Sequence, residues 1–337
     1  MKEALVYEKL DNANVRCGLC NHFCVIHPDR RGLCGVRENK EGTLYSLVYG
    51  KLISSHVDPI EKKPFYHFTP GNSAFSIATV GCSFRCLFCQ NWEISQFPIE
   101  NPLDKIPGED VSPILVVDSA LKYKCKSIAY TYTEPTIFFE YAYDIAVLAK
   151  EKKLYNTFVT NGYMSPTALA KIAPILDGAN VDLKSFSDDF YSKTCGAKLK
   201  PILTNIEKMA ELGIWVEVTT LIIHELNDTK EELKKIASFL YKVSPDIPWH
   251  VSAFYPCYNM SKTPPTASHK IKLARDIGLD TGLRYVYSGN IHDSEGSTTF
   301  CYSCKKPLIE RMGFNVTKNV IQNGSCPYCK TKINGKW

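Results

Sequence analysis

The chain has 337 residues, of which 45% are hydrophobic and 22% are charged, and its formal net charge is +5. This composition is typical of a globular protein, and no apolar run reaches the roughly 18 residues of a membrane-spanning helix, which excludes such a span. The first residues contain no apolar stretch of signal-peptide length, so we expect a cytoplasmic location and no membrane partner.

The positive charge is concentrated at the end of the chain, where residues 301–337 contain seven Lys or Arg and one Glu. Four thiolates around a divalent metal would cancel part of it. Such a mildly basic tail differs from the continuous basic stripe that binds phosphates. We therefore do not expect nucleic acid as a partner.

Fourteen cysteines are many for a chain of this length. Eleven of them fall into three compact sets: Cys17, Cys20, Cys24 and Cys34; Cys82, Cys86 and Cys89; and Cys301, Cys304, Cys326 and Cys329. In a cytosolic protein such spacing indicates metal binding rather than disulfides. Because metal-binding thiolates must stay reduced, we expect a reducing, low-oxygen (anaerobic) cytoplasm. Cys125, Cys195 and Cys257 lie outside the three sets.

Composition divides the chain into three regions: an N-terminal cysteine-rich module over 1–60, a region of alternating strands and helices over 61–299, and a small cysteine-rich module over 300–337. The first region contains one predicted strand pair, 44–48 with 52–57. The spacing of Cys17, Cys20, Cys24 and Cys34 is not a standard pair of zinc knuckles. Zinc and a second iron–sulfur cluster are both open for this set, and His22 or His27 could replace one thiol.

The middle region predicts repeated β/α units. Seven short apolar segments rich in β-branched or aromatic residues are the predicted strands: 74–80, 127–132, 155–160, 178–183, 214–221, 249–254 and 282–287. Predicted helix starts are Ser112-Pro113, Ser165-Pro166 and a capping box over 228–231 with Asp at the cap. An α/β fold follows, and seven strands favour a partial TIM-like (β/α) barrel of six to seven units over an open doubly wound sheet.

The second cysteine set has the spacing C-x3-C-x2-C and directly follows the first strand of this barrel. Three close thiolates can hold three irons of a [4Fe-4S] cluster and leave the fourth iron open. The known partner of such an iron is S-adenosylmethionine (SAM). A fragment of a zinc site is the alternative, but no fourth ligand follows Cys89 at knuckle spacing.

Polar residues follow or end the other predicted strands, where the fold places chemistry. They are Glu134, Thr160, Asn161, Asp182, Lys184, Thr219, Thr220, His250, Ser252, Ser288 and Asn290. We expect them around one mouth. Structural roles are the alternatives: Glu134 as a helix cap, Asp182 and Lys184 as a buried pair, and His250 as a hydrogen-bonded core residue.

The third set has two C-x2-C knuckles about 20 residues apart, Cys301 with Cys304 and Cys326 with Cys329. This pattern predicts a zinc ribbon, with iron as the alternative. A module of this size builds little hydrophobic core, so the metal would supply much of its folding free energy.

Together these strings resemble the radical SAM superfamily and, more closely, the pyruvate formate-lyase activating enzymes and the radical SAM component of the AmmeMemoRadiSam system. The resemblance covers nearly the whole chain, including Gly32–Arg37, Asp58–Pro64 and Cys89–Trp92. It implies an oxidoreductase that cleaves SAM reductively and abstracts hydrogen from an unidentified substrate, such as a partner polypeptide. It also implies a flavodoxin- or ferredoxin-like electron donor and Memo-like and AMMECR-like associates.

The resemblance implies roles for matching residues. Cys82, Cys86 and Cys89 would bind the cluster, and Phe88 would lie against the adenine of SAM. Glu134 would bind the methionine amino group, although Tyr132 and Thr133 stand where the family has two glycines. Further SAM contacts would come from Thr160, Asn161, Asp182, Lys184 and His250. Val159 replaces an acidic residue of the activating enzymes, which weakens a cation site there.

A different class of function is also compatible with the cysteine sets. The chain could be a metal-cluster regulator or scaffold that binds nucleic acid or protein through zinc ribbons. This alternative leaves the polar residues at the strand ends without a role.

Overall fold

The computed structural model describes residues 1–337. The N-terminal region consists of short antiparallel strands in two small sheets, ordered β1-β6-β5 and β2-β3-β4, with β7 paired elsewhere. These strands are β1 (Lys2–Glu3), β2 (Tyr7–Lys9), β3 (Val15–Cys17), β4 (Val25–Ile26), β5 (Arg37–Lys40), β6 (Thr43–Ser46) and β7 (Lys51–Leu52). Their buried side chains belong to the same hydrophobic core as the main sheet.

The predicted pairing of 44–48 with 52–57 is wrong. The strand at Thr43–Ser46 forms a hairpin with β5, closed by Glu41 and Gly42 with φ of 50° and 84°. A two-residue loop in which both residues have positive φ has a backbone twist that matches the twist of the two strands it joins. The segment predicted at 52–57 belongs to β7 and to the next strand, which joins the main sheet.

The main sheet has eight strands in the order β16-β15-β14-β13-β12-β11-β9-β8. The strands that follow β7 are β8 (Ser54–Pro59), β9 (Ser73–Ala78), β10 (Glu109–Asp110), β11 (Ser127–Tyr130), β12 (Tyr155–Thr160), β13 (Gly178–Asp182), β14 (Trp215–Ile222), β15 (Trp249–Ala253) and β16 (Val286–Gly289). Seven of the sheet strands are parallel and β8 is antiparallel, whereas β10 pairs with β7. Sequential order of parallel strands is the order of a (β/α) barrel, and the unpaired edges at β8 and β16 make it partial.

The helices that connect these strands are α1 (Trp92–Ser95), α2 (Phe97–Glu100), α3 (Pro113–Lys122), α4 (Phe139–Glu151), α5 (Pro166–Ile172), α6 (Asp188–Phe190), α7 (Leu199–Glu211), α8 (Lys230–Val243), α9 (Ser268–Thr281) and α10 (Ser294–Ser297). A π-helix, Tyr191–Cys195, follows α6, and short 3₁₀ turns include Ile60–Lys62 and Pro135–Phe138. No helix has the length and apolar character that crossing a bilayer requires.

Two predicted boundaries differ from the structure for local reasons. The last barrel strand begins at Val286 rather than at residue 282, because Gly282 ends α9 with a φ of 109°. Helix α8 is capped by Thr229, whose hydroxyl accepts from the Glu232 amide at 3.2 Å, rather than by Asp228. Asp228 instead accepts from the Glu225 amide in the preceding turn.

The C-terminal module forms a three-stranded sheet that packs on the β16 side of the barrel. Its strands are β17 (Thr299–Phe300), β18 (Pro307–Met312) and β19 (Asn315–Asn319). Tyr66, Tyr285 and Tyr287 of the barrel share a buried cluster with Cys301, Cys326 and other side chains of this module. The buried Arg311 guanidinium donates to the Tyr66 carbonyl at 2.8 Å, so the module is joined to the barrel by polar as well as apolar contacts.

Candidate functional site

The carboxyl ends of the seven parallel strands surround one cavity of about 340 Å³. Its lining includes residues from the loops or ends of every one of these strands, which shows that the sheet curls around it. The sequence-predicted residues that line it are Cys82, Cys86, Phe88, Cys89, Thr160, Asn161, Asp182, Lys184, Thr219, His250, Ser252, Ser288 and Asn290. Their position agrees with the end of a (β/α) barrel at which active sites form.

A larger cleft of about 790 Å³ lies at the opposite end of the barrel, between the start of β14 and the C-terminal residues 334–337. It contains none of the cysteine sets. Conserved chemistry in parallel α/β barrels lies at the carboxyl ends of the strands, so we assign the smaller cavity as the site in spite of its size.

The cysteine triplet lies on the loop that follows β9. The loop starts at Gly81, where φ is +102° and a Cβ would lie 2.8 Å from Val36 Cγ1, so only glycine fits without a shift. The π-helix holds the loop on its other side, since the Arg85 amide donates to the Cys195 carbonyl at 2.8 Å. π-helical turns are frequent at functional sites.

All three triplet thiols have raised pKa values. Burial raises the pKa of Cys82 and of Cys89, whereas for Cys86 the largest cause is a hydrogen bond with the Cys195 thiol, followed by burial. Without a metal these thiols stay protonated, which does not suit a free cysteine nucleophile. Bound iron would supply the positive charge that stabilises deprotonated thiolates in a buried site. The donor set, three sulfurs on one loop facing one cavity, fits an iron–sulfur cluster.

Several donors point at the triplet sulfurs. The Phe84 amide and the Asn161 side-chain amide lie 3.3 and 3.8 Å from Cys82 Sγ, and the Ser95 hydroxyl lies 3.2 Å from Cys89 Sγ. Hydrogen bonds to cluster sulfurs stabilise their negative charge and set the reduction potential.

The Asp182–Lys184 pair lies beside Phe88 in the cavity wall. Lys184 Nζ donates to Asp182 at 2.9 Å and lies 5.7 Å from the centre of the Phe88 ring. Burial alone would lower the pKa of Lys184, but the Asp182 carboxylate raises it well above its usual value. The lysine is therefore a fixed cation next to an aromatic face, which suits an anionic group attached to a flat ring.

Glu134 lies behind the cavity wall rather than in it. Its fully buried carboxylate accepts from the Thr136 amide at 2.9 Å, the Thr160 hydroxyl at 2.8 Å and the Asn161 amide at 2.8 Å. Burial raises its pKa, and these hydrogen bonds oppose the rise. The carboxylate caps the turn that begins at Pro135 and ties β11 to the end of β12, so the structure does not bring it into contact with the space where a ligand would bind.

His250 forms part of the cavity floor. Its Nε2 donates to Glu217 at 2.7 Å, and the ring stacks 5.4 Å from the ring of Tyr287. Both the histidine and the carboxylate are buried. The ring therefore has a fixed orientation and a fixed tautomer on the side away from the ligand.

Lys63 is a cavity residue that sequence reasoning missed. It is 2% exposed, its Nζ lies 2.7 Å from Asp58, and it lies 4.0 Å from the centre of the Tyr132 ring. Burial lowers its pKa to about 8 despite the carboxylate. Lys63 belongs to the stretch Asp58–Pro64, which resembles the family. The signal in the sequence is the acidic Asp58 five residues before this lysine.

Three further residues lie at the cavity or at the triplet: Ser288, Cys195 and Cys257. Ser288 Oγ is buried, lines the cavity and has no hydrogen-bond partner in the chain, which fits a polar ligand. The Cys257 thiol donates to the Cys89 carbonyl at 2.9 Å, and the Cys195 thiol contacts Cys86. These two cysteines, outside the three sets, lie at the triplet.

The C-terminal cysteines form a compact group. The sulfurs of Cys301 and Cys329 are 3.6 Å apart, those of Cys304 and Cys326 are 3.7 Å apart, and all four lie within 4.8 Å of one another. A tetrahedral zinc with bonds of about 2.3 Å places its sulfurs about 3.8 Å apart. The four thiols therefore fit one tetrahedral metal ion.

The N-terminal cysteines are arranged differently. Cys17, Cys20, Cys24 and Cys34 line one small cavity, which also borders the triplet loop at Ser83. His22 is part of the same lining, and its Nε2 donates to the Ser83 carbonyl at 2.8 Å. His27 is exposed and contacts Asn14, so it lies outside the cavity.

Comparison with known proteins identifies relatives of this site and fold. A sequence model of the radical SAM superfamily matches residues 76–240. An uncharacterized protein of Methanocaldococcus jannaschii is 43% identical over 99% of both chains. The pyruvate formate-lyase-activating enzyme of Clostridium pasteurianum is 22% identical over 172 residues, which cover 48% of this chain and 67% of that enzyme.

Solved structures share the fold at low sequence identity. SuiB of Streptococcus suis bound to S-adenosylmethionine has a TM-score of 0.51 and 12% identity, covering 69% of this chain and 53% of SuiB. A radical SAM methyltransferase from Sphaerobacter thermophilus has a TM-score of 0.50 and 15% identity, covering 68% of this chain and 69% of that one. The expected α/β radical SAM fold is confirmed.

Proposed function

Because the chain belongs to the radical SAM superfamily and is an enzyme of that type, we propose that it abstracts hydrogen from a partner polypeptide at the cavity that the triplet lines. The observation that carries this proposal is the placement of Cys82, Cys86 and Cys89, on one loop, at the carboxyl ends of the barrel strands. Cys82, Cys86 and Cys89 would hold a [4Fe-4S] cluster there, which would supply the electron for reductive cleavage of SAM to methionine and the 5′-deoxyadenosyl radical that abstracts the hydrogen.

The residues of the cavity wall would bind and orient SAM. Lys184, held by Asp182, would face the carboxylate of the methionine part, and the Phe88 ring beside it would lie against the adenine. Thr160 and Asn161 form the neighbouring wall, and His250 the floor. Each of these positions is supported by contact with the same cavity rather than by sequence alone.

Glu134 would act as a positioning residue and not as a ligand contact. Its carboxylate holds the Thr160 hydroxyl and the Asn161 amide, both of which belong to residues of the cavity wall. A methionine amino group would instead meet Tyr132 and Thr133, the two residues before Glu134, which line the cavity.

The substrate would approach over the rim of the cavity. A cavity of about 340 Å³ is at the lower end of the range for small-ligand sites, so SAM alone would occupy most of it. Phe314, at the tip of the β18–β19 hairpin, lines the mouth and is 47% exposed. Tyr255, which follows β15, is 51% exposed, and its hydroxyl donates to the carbonyl of the lining residue Asn290. Exposed aromatic side chains at a mouth support a polypeptide substrate.

The resemblance to activating enzymes points to a glycine Cα–H of a partner polypeptide, whereas the AmmeMemoRadiSam resemblance points to Memo-like and AMMECR-like proteins as associates. A radical SAM enzyme needs an electron donor, for which a flavodoxin- or ferredoxin-like protein is the class we propose. We further propose zinc for the C-terminal cysteines, on the sulfur distances given above, and a metal centre for the N-terminal ones.

The test is anaerobic reconstitution with iron and sulfide, reduction with dithionite, and assay of SAM conversion to 5′-deoxyadenosine and methionine. Memo-like and AMMECR-like proteins labelled with deuterium at glycine Cα would then serve as candidate substrates. Deuterium in the 5′-deoxyadenosine would support a polypeptide substrate. Absence of SAM cleavage in reduced protein with a full complement of iron would contradict the proposed reaction.

A further inference from the structure

The N-terminal cysteines surround a cavity that the proposed reaction does not use. Cys17 is buried and the other three are half-buried, and all four contribute to the lining. Four thiols, one at the end of β3 and three from the segments that follow it, converge here, which is the arrangement of a metal centre and not of isolated core cysteines.

The N-terminal sulfurs are not grouped as closely as those of the C-terminal site. No three of the sulfurs of Cys17, Cys20, Cys24 and Cys34 lie within 4.8 Å of one another, whereas all four of the C-terminal sulfurs do. A single tetrahedral zinc requires sulfurs about 3.8 Å apart. A four-iron cluster holds each thiolate on a different corner and therefore spreads them more widely. The sulfurs of the triplet likewise do not form a group within 4.8 Å of one another.

A second observation is an unpartnered donor in the wall of this cavity. Arg37 is 1% exposed, and its two terminal nitrogens donate to the Glu140 carboxylate. Its Nε is buried without any hydrogen-bond partner in the chain. The guanidinium lines the cavity, so a sulfur atom in the cavity would supply the missing acceptor.

The cavity lies directly against the triplet loop. Ser83, which follows the cluster ligand Cys82, is part of its wall. A Cβ at Gly81, the residue before Cys82, would lie 3.2 Å from the Cys34 carbonyl oxygen. One layer of backbone thus separates the N-terminal cavity from the main site, and electron tunnelling is efficient over such short separations.

We propose that Cys17, Cys20, Cys24 and Cys34 bind a second iron–sulfur cluster, which passes single electrons to the cluster of the triplet. In each transfer the N-terminal cluster loses one electron and the triplet cluster gains it, and no proton moves. A one-electron carrier of the flavodoxin or ferredoxin class then reduces the N-terminal cluster again. The relay role rests on the proposed reaction, whereas the identity of the metal does not.

Metal analysis of two proteins tests the metal. In anaerobically reconstituted full-length protein we expect about eight irons and about one zinc per chain. The variant in which Cys82, Cys86 and Cys89 are all replaced by Ala leaves the N-terminal site untouched, and we expect it to retain about four irons with matching sulfide. Two zinc ions and no iron in this variant, or about four irons and two zincs in the unaltered chain, would overturn the proposal.

The relay is tested by the rate at which reduced flavodoxin reduces the triplet cluster, followed by freeze-quench electron paramagnetic resonance. We expect Cys24→Ala to slow this reduction roughly tenfold or more while the triplet keeps its iron. Cys125→Ala, a buried cysteine outside the three sets, is the matched control and should leave the rate unchanged. Equal rates in the two variants would overturn the relay. Because the readout is cluster reduction, failure of SAM cleavage would be seen separately.

Discussion

His250 Nε2 donates to Glu217 at 2.7 Å inside the barrel, beneath the cavity that the triplet lines. The same carboxylate accepts from the amides of Tyr66 and His67 and from the Trp215 indole. One buried acid therefore connects the floor of the site, β14 and the segment that precedes β9. Burial alone would raise the pKa of Glu217, but the hydrogen bond that His250 donates lowers it below its usual value.

Replacement of this acid tests whether the connection stabilises the fold. A glutamine has one acceptor oxygen and a donor amide, so Glu217→Gln leaves two of the four donors facing another donor. We expect the free energy of unfolding to fall by about 3 kcal/mol or more, because Glu217 loses its charge and two buried donors lose their acceptor. Anaerobic urea unfolding measures the loss.

The control for this experiment is Glu310→Gln. Glu310 forms a surface ion pair with Lys318 and its side chain is 42% exposed, so its loss should change the free energy of unfolding by less than about 1 kcal/mol. A Glu217→Gln protein as stable as this control would show that the internal network contributes nothing to the fold.

We expect the buried His67 to make the free energy of unfolding depend on pH. Its Nδ1 donates to the Asn334 carbonyl at 2.9 Å, and its Nε2 accepts from the Tyr287 hydroxyl at 2.6 Å. Burial lowers the pKa of His67 from 6.5 to about 4, so the folded chain keeps it neutral where the unfolded chain binds a proton. The free energy of unfolding therefore falls as the pH falls from about 6.5 toward 4, by up to about 3 kcal/mol.

Urea unfolding between pH 7.5 and 5 of the unaltered chain and of His67→Gln checks this dependence. The variant cannot take up the proton, so its unfolding free energy should change less steeply over this range. His269→Gln replaces an exposed histidine and should keep the original slope. Identical slopes in all three proteins would mean that His67 makes no contribution to the pH dependence.

The strands and the cysteine triplet could be predicted from the sequence. Short apolar segments alternate with segments of helical periodicity, and the triplet directly follows the first apolar segment of the barrel. The carboxyl ends of parallel strands meet, so residues as distant as Asp182 and His250 could be expected around one mouth. The barrel interior could not be predicted in the same way. Tyr66 and Glu217 are 151 residues apart, and nothing in either segment shows that the Tyr66 amide donates to the buried Glu217 carboxylate.

Other details of the site depend on local packing. Glu134 is predicted to contact SAM, and in the structure Thr160 and Asn161, at the end of the next strand, donate to its carboxylate. Lys63 was passed over because it precedes the first parallel strand, although its loop folds back over the cavity. Such contacts depend on how loops pack, for which the sequence has no periodic signal.

Glu134 provides a test of positioning in the cavity wall. We expect Glu134→Ala to lower the free energy of unfolding by about 2–4 kcal/mol, since it removes a cap and leaves buried donors without an acceptor. The affinity for SAM should fall more than the iron content, because Thr160 and Asn161 lose their anchor. Equilibrium binding of SAM and iron analysis measure the two effects.

Thr136→Val is the matched control for Glu134. The Thr136 hydroxyl contacts the same carboxylate at 2.5 Å but does not touch the cavity wall, so its loss disturbs the cap alone. A smaller effect on SAM affinity than that of Glu134→Ala is expected. If the two variants bind SAM equally well, Glu134 is a helix cap and nothing more.

Cys86→Ala separates the proposed chemistry from the C-terminal metal site. Cys86 lies on the loop between β9 and α1, whereas the C-terminal cysteines lie beyond β16, and no cysteine belongs to both sets. We expect the variant to form no 5′-deoxyadenosine while it keeps its C-terminal zinc, because an incomplete ligand set cannot hold the cluster for electron transfer. Product chromatography and metal analysis of the same sample provide both readouts. Cys195→Ala is the control, because it removes only the thiol that contacts Cys86 and its cluster should remain. If Cys86→Ala formed as much 5′-deoxyadenosine as this control, the triplet would be ruled out as the site of SAM cleavage.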